Sequence, residues 1–259
     1  LISLFIAYYK PNMQEVLQKD RNAYANFNEF FARRLNADAR PLAAAPIISP
    51  CDGRLKSAGS FSQGIVTSGK SETAQLEQPE QPGLINDIKG TSYSVANLLG
   101  LPKDSPLVQK FTAGQYANLY LAPKDYHRVH FPCSAKMTQA KFISGCMFPV
   151  NDKSVAKRPS LYAHNQRLAC ICHTDYGMMA IVMVAAMFVS SIGTSWGSMH
   201  RALAASITDN QERAFAKGDE LGYFYMGSSV VILLENTELQ LATTPDANIK
   251  LGQALYSIT

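Results

Sequence analysis

The sequence predicts an α+β fold, with N-terminal helices followed by a mainly antiparallel β-sheet or barrel-like domain. Two observations carry this. From Asn12 to Leu35 the apolar residues Met13, Val16, Leu17, Tyr24, Phe27, Phe30, Phe31 and Leu35 recur at spacings of three, four and seven, the periodicity of an amphipathic helix. After residue 50 the pattern changes to short runs of Val, Ile, Tyr and Phe separated by Gly, Pro and polar turns, which is how strands read.

Taken in order, Leu1 to Tyr9 is an apolar and aromatic run far shorter than the roughly 20 residues that span a bilayer. It reads either as the end of a helix lying on a membrane or as a first helical turn facing the core. The chain opens on Leu1 rather than Met, as expected of a fragment whose natural N-terminus lies upstream. Asn28 is placed to cap a short second helix. Pro41, Pro46 and Pro50 then break the helical pattern and set a boundary near residue 45.

Beyond that boundary, Ser68 to Lys89 is rich in Gln, Glu, Ser, Gly and Pro and reads as a long exposed loop. Ser94 to Leu99 is expected to form a brief helix. Met178 to Val189 is an unbroken apolar run of twelve, too short for a membrane span and suited to a strand covered on both faces. Leu221 to Tyr225 and Val230 to Leu234 are two further strands, with Met226-Gly227-Ser228-Ser229 between them.

Composition narrows the function classes. Of 259 residues, 47% are hydrophobic, enough for a well-filled core. The formal charge of +4 is scattered, which gives a nucleic-acid partner little support and is compatible with an anionic membrane surface. Five cysteines without framework spacing favour a reducing compartment. Cys170-Ile171-Cys172-His173 has one intervening residue, too few for a zinc knuckle, and reads as an apolar strand carrying buried thiols; no metal is expected.

Three places hold chemistry: Ser49 to Arg54, Pro123 to His130, and Gly227-Ser228. Together they contain an acid, two histidines and a hydroxyl. A serine becomes nucleophilic when a histidine accepts its proton and a carboxylate holds that histidine in the useful tautomer. Individually, each has a plainer explanation. Asp52-Gly53 is a common turn, His127 and His130 fit a strand flank, and Gly-Ser-Ser between strands is an ordinary connection.

The ordered motifs change that balance. Asn26-Phe27-Asn28-Glu29-Phe30-Phe31-Ala32-Arg33 with Arg40-Pro41, then Ser49-Pro50-Cys51-Asp52-Gly53, Lys89-Gly90-x-x-Tyr93-Ser94, Pro123 to His130 with Pro132, and Phe224 to Ser229 closely resemble the bacterial phosphatidylserine decarboxylases, in order and over nearly the whole chain. The resemblance implies a proenzyme in which Ser228 attacks the carbonyl of Gly227. The resulting ester eliminates to dehydroalanine, and hydrolysis leaves a covalent pyruvoyl group at position 228. Residues 1–227 (β chain) and 228–259 (α chain) would stay associated.

By the same match, Asp52, His130 and Ser228 form the self-cleavage triad, with His130 as base and Asp52 orienting it. His127 serves decarboxylation as the proton donor. The pyruvoyl group replaces pyridoxal phosphate, forms a Schiff base with the substrate amine, and converts phosphatidylserine to phosphatidylethanolamine. Residues 1–45 would dock on an anionic membrane surface and 46–259 would carry catalysis. A homodimer, peripheral on the cytoplasmic face of a bacterial inner membrane, is expected.

Strand alternation places His127 and His130 on opposite faces, so a bend or bulge is needed for both to face one cavity. Met226 and Ser229 depart from the family's usual Leu and Thr. Rival readings are a pyruvoyl enzyme acting on a soluble amino acid, an uncut serine hydrolase, and a non-enzymatic lipid-binding module with a vestigial site.

Overall fold

The structure, a computed structural model, describes residues 1–61, 84–85, 93–150, 154, 157–158, 160–186, 192–197, 206–225 and 228–258. Helix α1 (Ile2–Tyr9) ends at Lys10, whose φ of 52° closes it ahead of Pro11. The amphipathic helix expected from Asn12 to Leu35 is not continuous. Only a 3-10 turn at Arg21–Ala23 and α2 (Phe27–Phe31) form, and Val16 bridges to Leu35 instead. The reason is local competition: the side chains of Asn12, Gln18 and Asp20 each accept a bond from the backbone N–H two residues on, which stabilises turns over helix. Asn26, not Asn28, caps α2, accepting from the Glu29 N–H at 3.0 Å while the Glu29 carboxylate accepts from the Ala25 N–H. Phe5, Phe30 and Phe31 form a small apolar cluster of their own, on which Met13, Tyr24 and Phe27 also pack, whereas Leu17 is exposed.

The rest is β-rich. In chain order come β1 (Ile47–Ile48), β2 (Gly53–Phe61), β3 (Leu84–Ile85), β4 (Tyr93–Ser94), then helices α3 (Val95–Leu99) and α4 (Pro106–Gln109). The strands β5 (Gly114–Leu121), β6 (Arg128–His130), β7 (Ala135–Ile143), β8 (Arg167–Thr174), β9 (Gly177–Val184) and β10 (Ile192–Thr194) follow. The chain closes with β11 (Ile207–Asp209), β12 (Arg213–Phe215), β13 (Glu220–Phe224), β14 (Ser228–Leu234), β15 (Gln240–Leu241), β16 (Asn248–Ile249) and β17 (Ala254–Ser257).

The main sheet runs β11-β7-β8-β9-β14-β5-β2-β16, with β12 also on β7, and is flanked by sheets β10-β13-β6 and β1-β17-β15. Every one of these ladders is antiparallel, as hairpin-like connections permit without crossover helices. The main sheet is open at both ends among the described residues, so the expected α+β fold with an antiparallel sheet is found, in its sheet form and not as a closed barrel. Its centre is apolar on both faces: all seven residues of β14, and every residue of β9 after Gly177, are buried. The run from Met178 is therefore a strand as expected as far as Val184; residues 187–189 lie outside the described residues.

The brief helix expected after Ser94 is α3, which ends at Gly100 with φ 62° and buries Val95, Ala96, Leu98 and Leu99. The polar loop from Ser68 to Lys89 lies outside the described residues apart from Leu84 and Ile85, which pair with β4. Cys170 and Cys172 sit buried within β8, where burial pushes both thiols well up from their ordinary range.

Candidate active site

Strand register gathers three of the predicted segments at one end of the main sheet. In β14, Ser228 stands opposite Leu121 of β5; in β2, Arg54 stands opposite Tyr120 of the same strand, so Asp52 lies just beyond that pairing. The order β14-β5-β2 places Ser228 and the start of β2 on either side of the end of β5. Gly53 permits this approach, since a Cβ there would meet the Tyr120 carbonyl oxygen at 2.6 Å. The histidines arrive on the turn after β5 and on β6, which pairs with β13: Phe224 N–H donates to the His127 carbonyl, four positions before Ser228.

Ser228 is fully buried and its hydroxyl has no hydrogen-bond partner among the described residues. Leaving a buried polar atom unpaired costs about 1–3 kcal/mol, so it is a reserve for chemistry rather than a structural asset. The next residue is anchored: Ser229 Oγ donates to the Tyr162 hydroxyl at 3.3 Å, to which Asn118 Nδ2 also donates at 3.4 Å. Gly227 and Met226 lie outside the described residues.

Asp52 is almost completely buried and its carboxylate is held by Arg40, Nε to Oδ1 at 2.8 Å and Nη2 to Oδ2 at 2.5 Å, with Leu251 N–H adding a third bond to Oδ1 at 2.9 Å. Arg40 also donates to Glu15 at 2.8 Å, and Glu15 accepts from Lys250 at 3.2 Å. Burial opposes the charge on Arg40, but the bonds to Asp52 and Glu15 outweigh it and raise its pKa; the same Arg40 bond holds Glu15 below the usual carboxylate range.

His130 is bound at both ring nitrogens, Nδ1 to the Gly218 carbonyl at 2.8 Å and Nε2 to the Tyr126 hydroxyl at 3.1 Å. It does not hydrogen-bond to Asp52. That carboxylate acts on it only through space, the smallest of the influences on its pKa, which burial lowers overall. A register shift lies on the partner strand β13 between Glu220 and Gly222, opposite His130 and Val129, but His127 precedes β6, and the shift does not bring the two histidines to one cavity.

His130 lines a cavity of about 410 Å³ with Tyr126, Gly218 and Glu220. His127 does not face it: the ring is fully buried beneath Phe31, with centroids 4.1 Å apart. Its Nδ1 bonds the Asp125 carbonyl at 2.9 Å, and Nε2 has no partner among the described residues. Since a carbonyl only accepts, Nδ1 carries the proton and Nε2 the lone pair. Burial drives its pKa down to about 3, partly opposed by the Asp125 carbonyl and reinforced by the Arg33 charge.

Of the cations available in sequence, Arg128 is committed to the Ala32 carbonyl and Glu220. Arg33 is buried and donates to the carbonyls of Lys124 and Asp125, clamping the turn that carries His127. Lys124 is exposed between cavities of about 260 and 380 Å³, both also lined by Asp52 and Asp125. Sequence reasoning missed Arg40 and Tyr126, although both stand within the motifs quoted above; nothing in spacing alone distinguishes them from neighbouring polar residues.

Comparison with known proteins now meets this geometry. The family model described as phosphatidylserine decarboxylase matches residues 27–257. A phosphatidylserine decarboxylase proenzyme of Legionella pneumophila (strain Corby) is 39% identical, covering 100% of this chain and 87% of the relative. The proenzyme of Bordetella petrii is 36% identical over 98% of the chain and 85% of the relative, and that of Ectopseudomonas mendocina 35% over 98% and 86%. An antiparallel β protein carrying a serine hydroxyl and two histidines at one sheet end thus has full-length company. The chain belongs to the phosphatidylserine decarboxylase family.

Proposed function

We propose that the chain cleaves itself between Gly227 and Ser228 and then decarboxylates phosphatidylserine to phosphatidylethanolamine. The observation that carries this reading is Ser228: first residue of β14, fully enclosed, with a hydroxyl unpartnered among the described residues, in a chain whose relatives are named proenzymes. Its Oγ attacks the Gly227 carbonyl, and the acyl group passes from nitrogen to oxygen as His130 takes the hydroxyl proton at a ring nitrogen. Loss of the Cα proton expels the Gly227 carboxylate, and hydrolysis releases ammonia. Asp52 supplies negative charge near His130, its position fixed by Arg40 and Leu251.

Position 228 fits a pyruvoyl group: Oγ leaves with the Gly227 carboxylate and Cβ becomes a methyl, and a fully buried hydroxyl that has no partner among the described residues gives up no hydrogen bond when it departs. When formed, that group supplies the electron sink that lets carbon dioxide leave an amino acid without pyridoxal phosphate. The chain's own residues do the rest. The ladder to Leu121 and the Ser229–Tyr162 bond hold position 228 in place, and Phe31 with the N-terminal aromatic cluster keeps water from His127. His127 returns a proton to the product, and its neutral ring must first take one at Nε2.

Residues 1–45 form the docking region for an anionic membrane, with the enzyme peripheral on the cytoplasmic face and assembled as a homodimer. The exposed Leu1, Leu4 and Tyr8 of the first helix support docking. No helix among the described residues is long and apolar enough to cross a membrane.

Intact mass tests the reading. The expected result is two polypeptides whose smaller member lacks an amine and carries a ketone at its first residue, with Ser228→Ala and His130→Ala remaining one chain. Persistence of the single 28.4 kDa chain on incubation, or cutting by Ser228→Ala, would refute it.

A further inference from the structure

His130 differs from the expected arrangement in one respect that has chemical content. The group that fixes its ring is not a carboxylate. Nδ1 points at the Gly218 carbonyl, 2.8 Å away, and a carbonyl oxygen can only accept, so Nδ1 carries a proton. In the neutral ring the lone pair is then on Nε2, and the group that meets Nε2 is the Tyr126 hydroxyl at 3.1 Å, which must donate. Tyr126 is four residues earlier on the same turn and strand, is itself almost completely buried, and packs its ring on His130 with centroids 5.8 Å apart at 32°. Gly218 is held in turn, its N–H donating to the Phe131 carbonyl at 2.9 Å.

We propose that Tyr126 is a positioning residue for self-cleavage, which together with the Gly218 carbonyl holds His130 in the Nδ1–H tautomer with its lone pair on Nε2, until the serine hydroxyl takes the tyrosine's place at Nε2 and gives up its proton there. This rests on the reading of His130 as the base. It assigns to a hydroxyl and a peptide carbonyl the orienting task usually given to a triad carboxylate, and leaves Asp52, held by Arg40, to act by charge alone.

The consequence for pH has a definite sign. A hydroxyl that donates to the Nε2 lone pair stabilises the neutral ring, and burial acts the same way. The other charged groups facing His130 are Glu220 and Arg128, which pair with each other, and Asp52, with Arg34 and Arg40 lining the same cavity. None of them changes when the Tyr126 hydroxyl is removed. Tyr126→Phe therefore destabilises the neutral ring alone, and the acid limb of the cleavage rate, where His130 gains its proton, moves to higher pH.

The test follows the full chain after pulse-labelled cell-free synthesis, measuring conversion to two fragments across pH. Tyr126→Phe is expected to slow cleavage about 10- to 100-fold at neutral pH and to shift the acid limb upward. A role in packing alone would leave the limb where it is, because the ring is retained. Cleavage by Tyr126→Phe at the wild-type rate with an unmoved limb, in a protein that His130→Ala leaves uncut, would overturn the inference while preserving the base. Cutting by His130→Ala would remove the reading on which it rests.

A second measurement does not depend on Tyr126→Phe folding. In the uncut Ser228→Ala chain, long-range ¹H–¹⁵N spectra of His130 should show the proton on Nδ1. A proton on Nε2 of the neutral ring overturns the proposal.

Discussion

At the residue scale, the two histidines show how burial and one carbonyl each select a protonation state. His127 is enclosed, with its pKa down to about 3 against an ordinary value near 6.5. The unfolded chain therefore binds a proton that the folded chain refuses as pH falls below 6.5. The contribution to stability is full above 6.5 and declines by about 1.4 kcal/mol per pH unit until the folded ring itself protonates near 3. Replacing His127 by Gln, which does not titrate, is expected to flatten the fall of the urea midpoint between pH 6.5 and 4 in the uncut Ser228→Ala chain. An equally steep fall in both proteins would mean that the enclosed ring titrates normally. In the active background, His127→Ala should still yield two chains by mass but lose about 100-fold or more in carbon dioxide release. Loss of cleavage as well would merge the roles of the two histidines.

At the scale of elements, the Arg40 network ties the N-terminal segment to the site. Glu15, Arg40, Asp52 and Lys250 join the segment before α2, the Pro-rich connection, the start of β2 and the end of β16. The Arg40 and Asp52 side chains are 8% and 10% exposed, so Arg40→Met leaves a buried carboxylate without its cation, at a cost of about 3 kcal/mol; adding Asp52→Asn should recover part of it. Urea midpoints of the uncut single and double variants measure this, and strict additivity would mean the two side chains do not interact. Gly53→Ala tests the adjoining contact, where a Cβ would press on the Tyr120 carbonyl and force β2 from β5 at a cost of roughly 1–3 kcal/mol.

Much of this was legible in the sequence at the level of elements. The strands around residues 221–234 follow from period and composition, and the covered apolar run that became β9 from its length. The helix expected over Asn12 to Leu35 was not legible, because apolar spacing of three and four is equally met by a chain that folds back on α1 while its Asn, Gln and Asp side chains close turns. The ordered motifs located the site residues, but not the Arg40 bonds to Asp52 or the Gly218 bond to His130. Each depends on which group from another segment arrives beside the side chain, a carboxylate for Arg40 and a backbone carbonyl for His130, and only the folded arrangement decides that.

For the whole molecule, the question is how a sealed site meets a lipid. The aromatic cluster of α1 and α2 stands between solvent and His127: Phe5 packs on Phe31, and Phe31 on the His127 ring. The opposite side of α1 is unpaired, with Leu1, Leu4 and Tyr8 being 81%, 73% and 78% exposed and spaced three and four apart, so that they share one face. An apolar face of this size that lies against a membrane brings the cluster covering His127 to the lipid boundary, where an acyl chain can replace the ring contacts without exposing them to water. Leu4→Glu with Tyr8→Glu changes that face and leaves Phe5, the cluster and the cleavage residues untouched. The double variant is expected to self-cleave as the parent does, to lose at least about 10-fold in binding to anionic vesicles by co-sedimentation, and to fall in parallel in turnover of vesicle-borne phosphatidylserine. It should keep its turnover of a short-chain, monomeric phosphatidylserine, which needs no docking. Equal losses on both substrates would place the defect in the site instead, and undiminished vesicle binding would remove α1 from the docking surface.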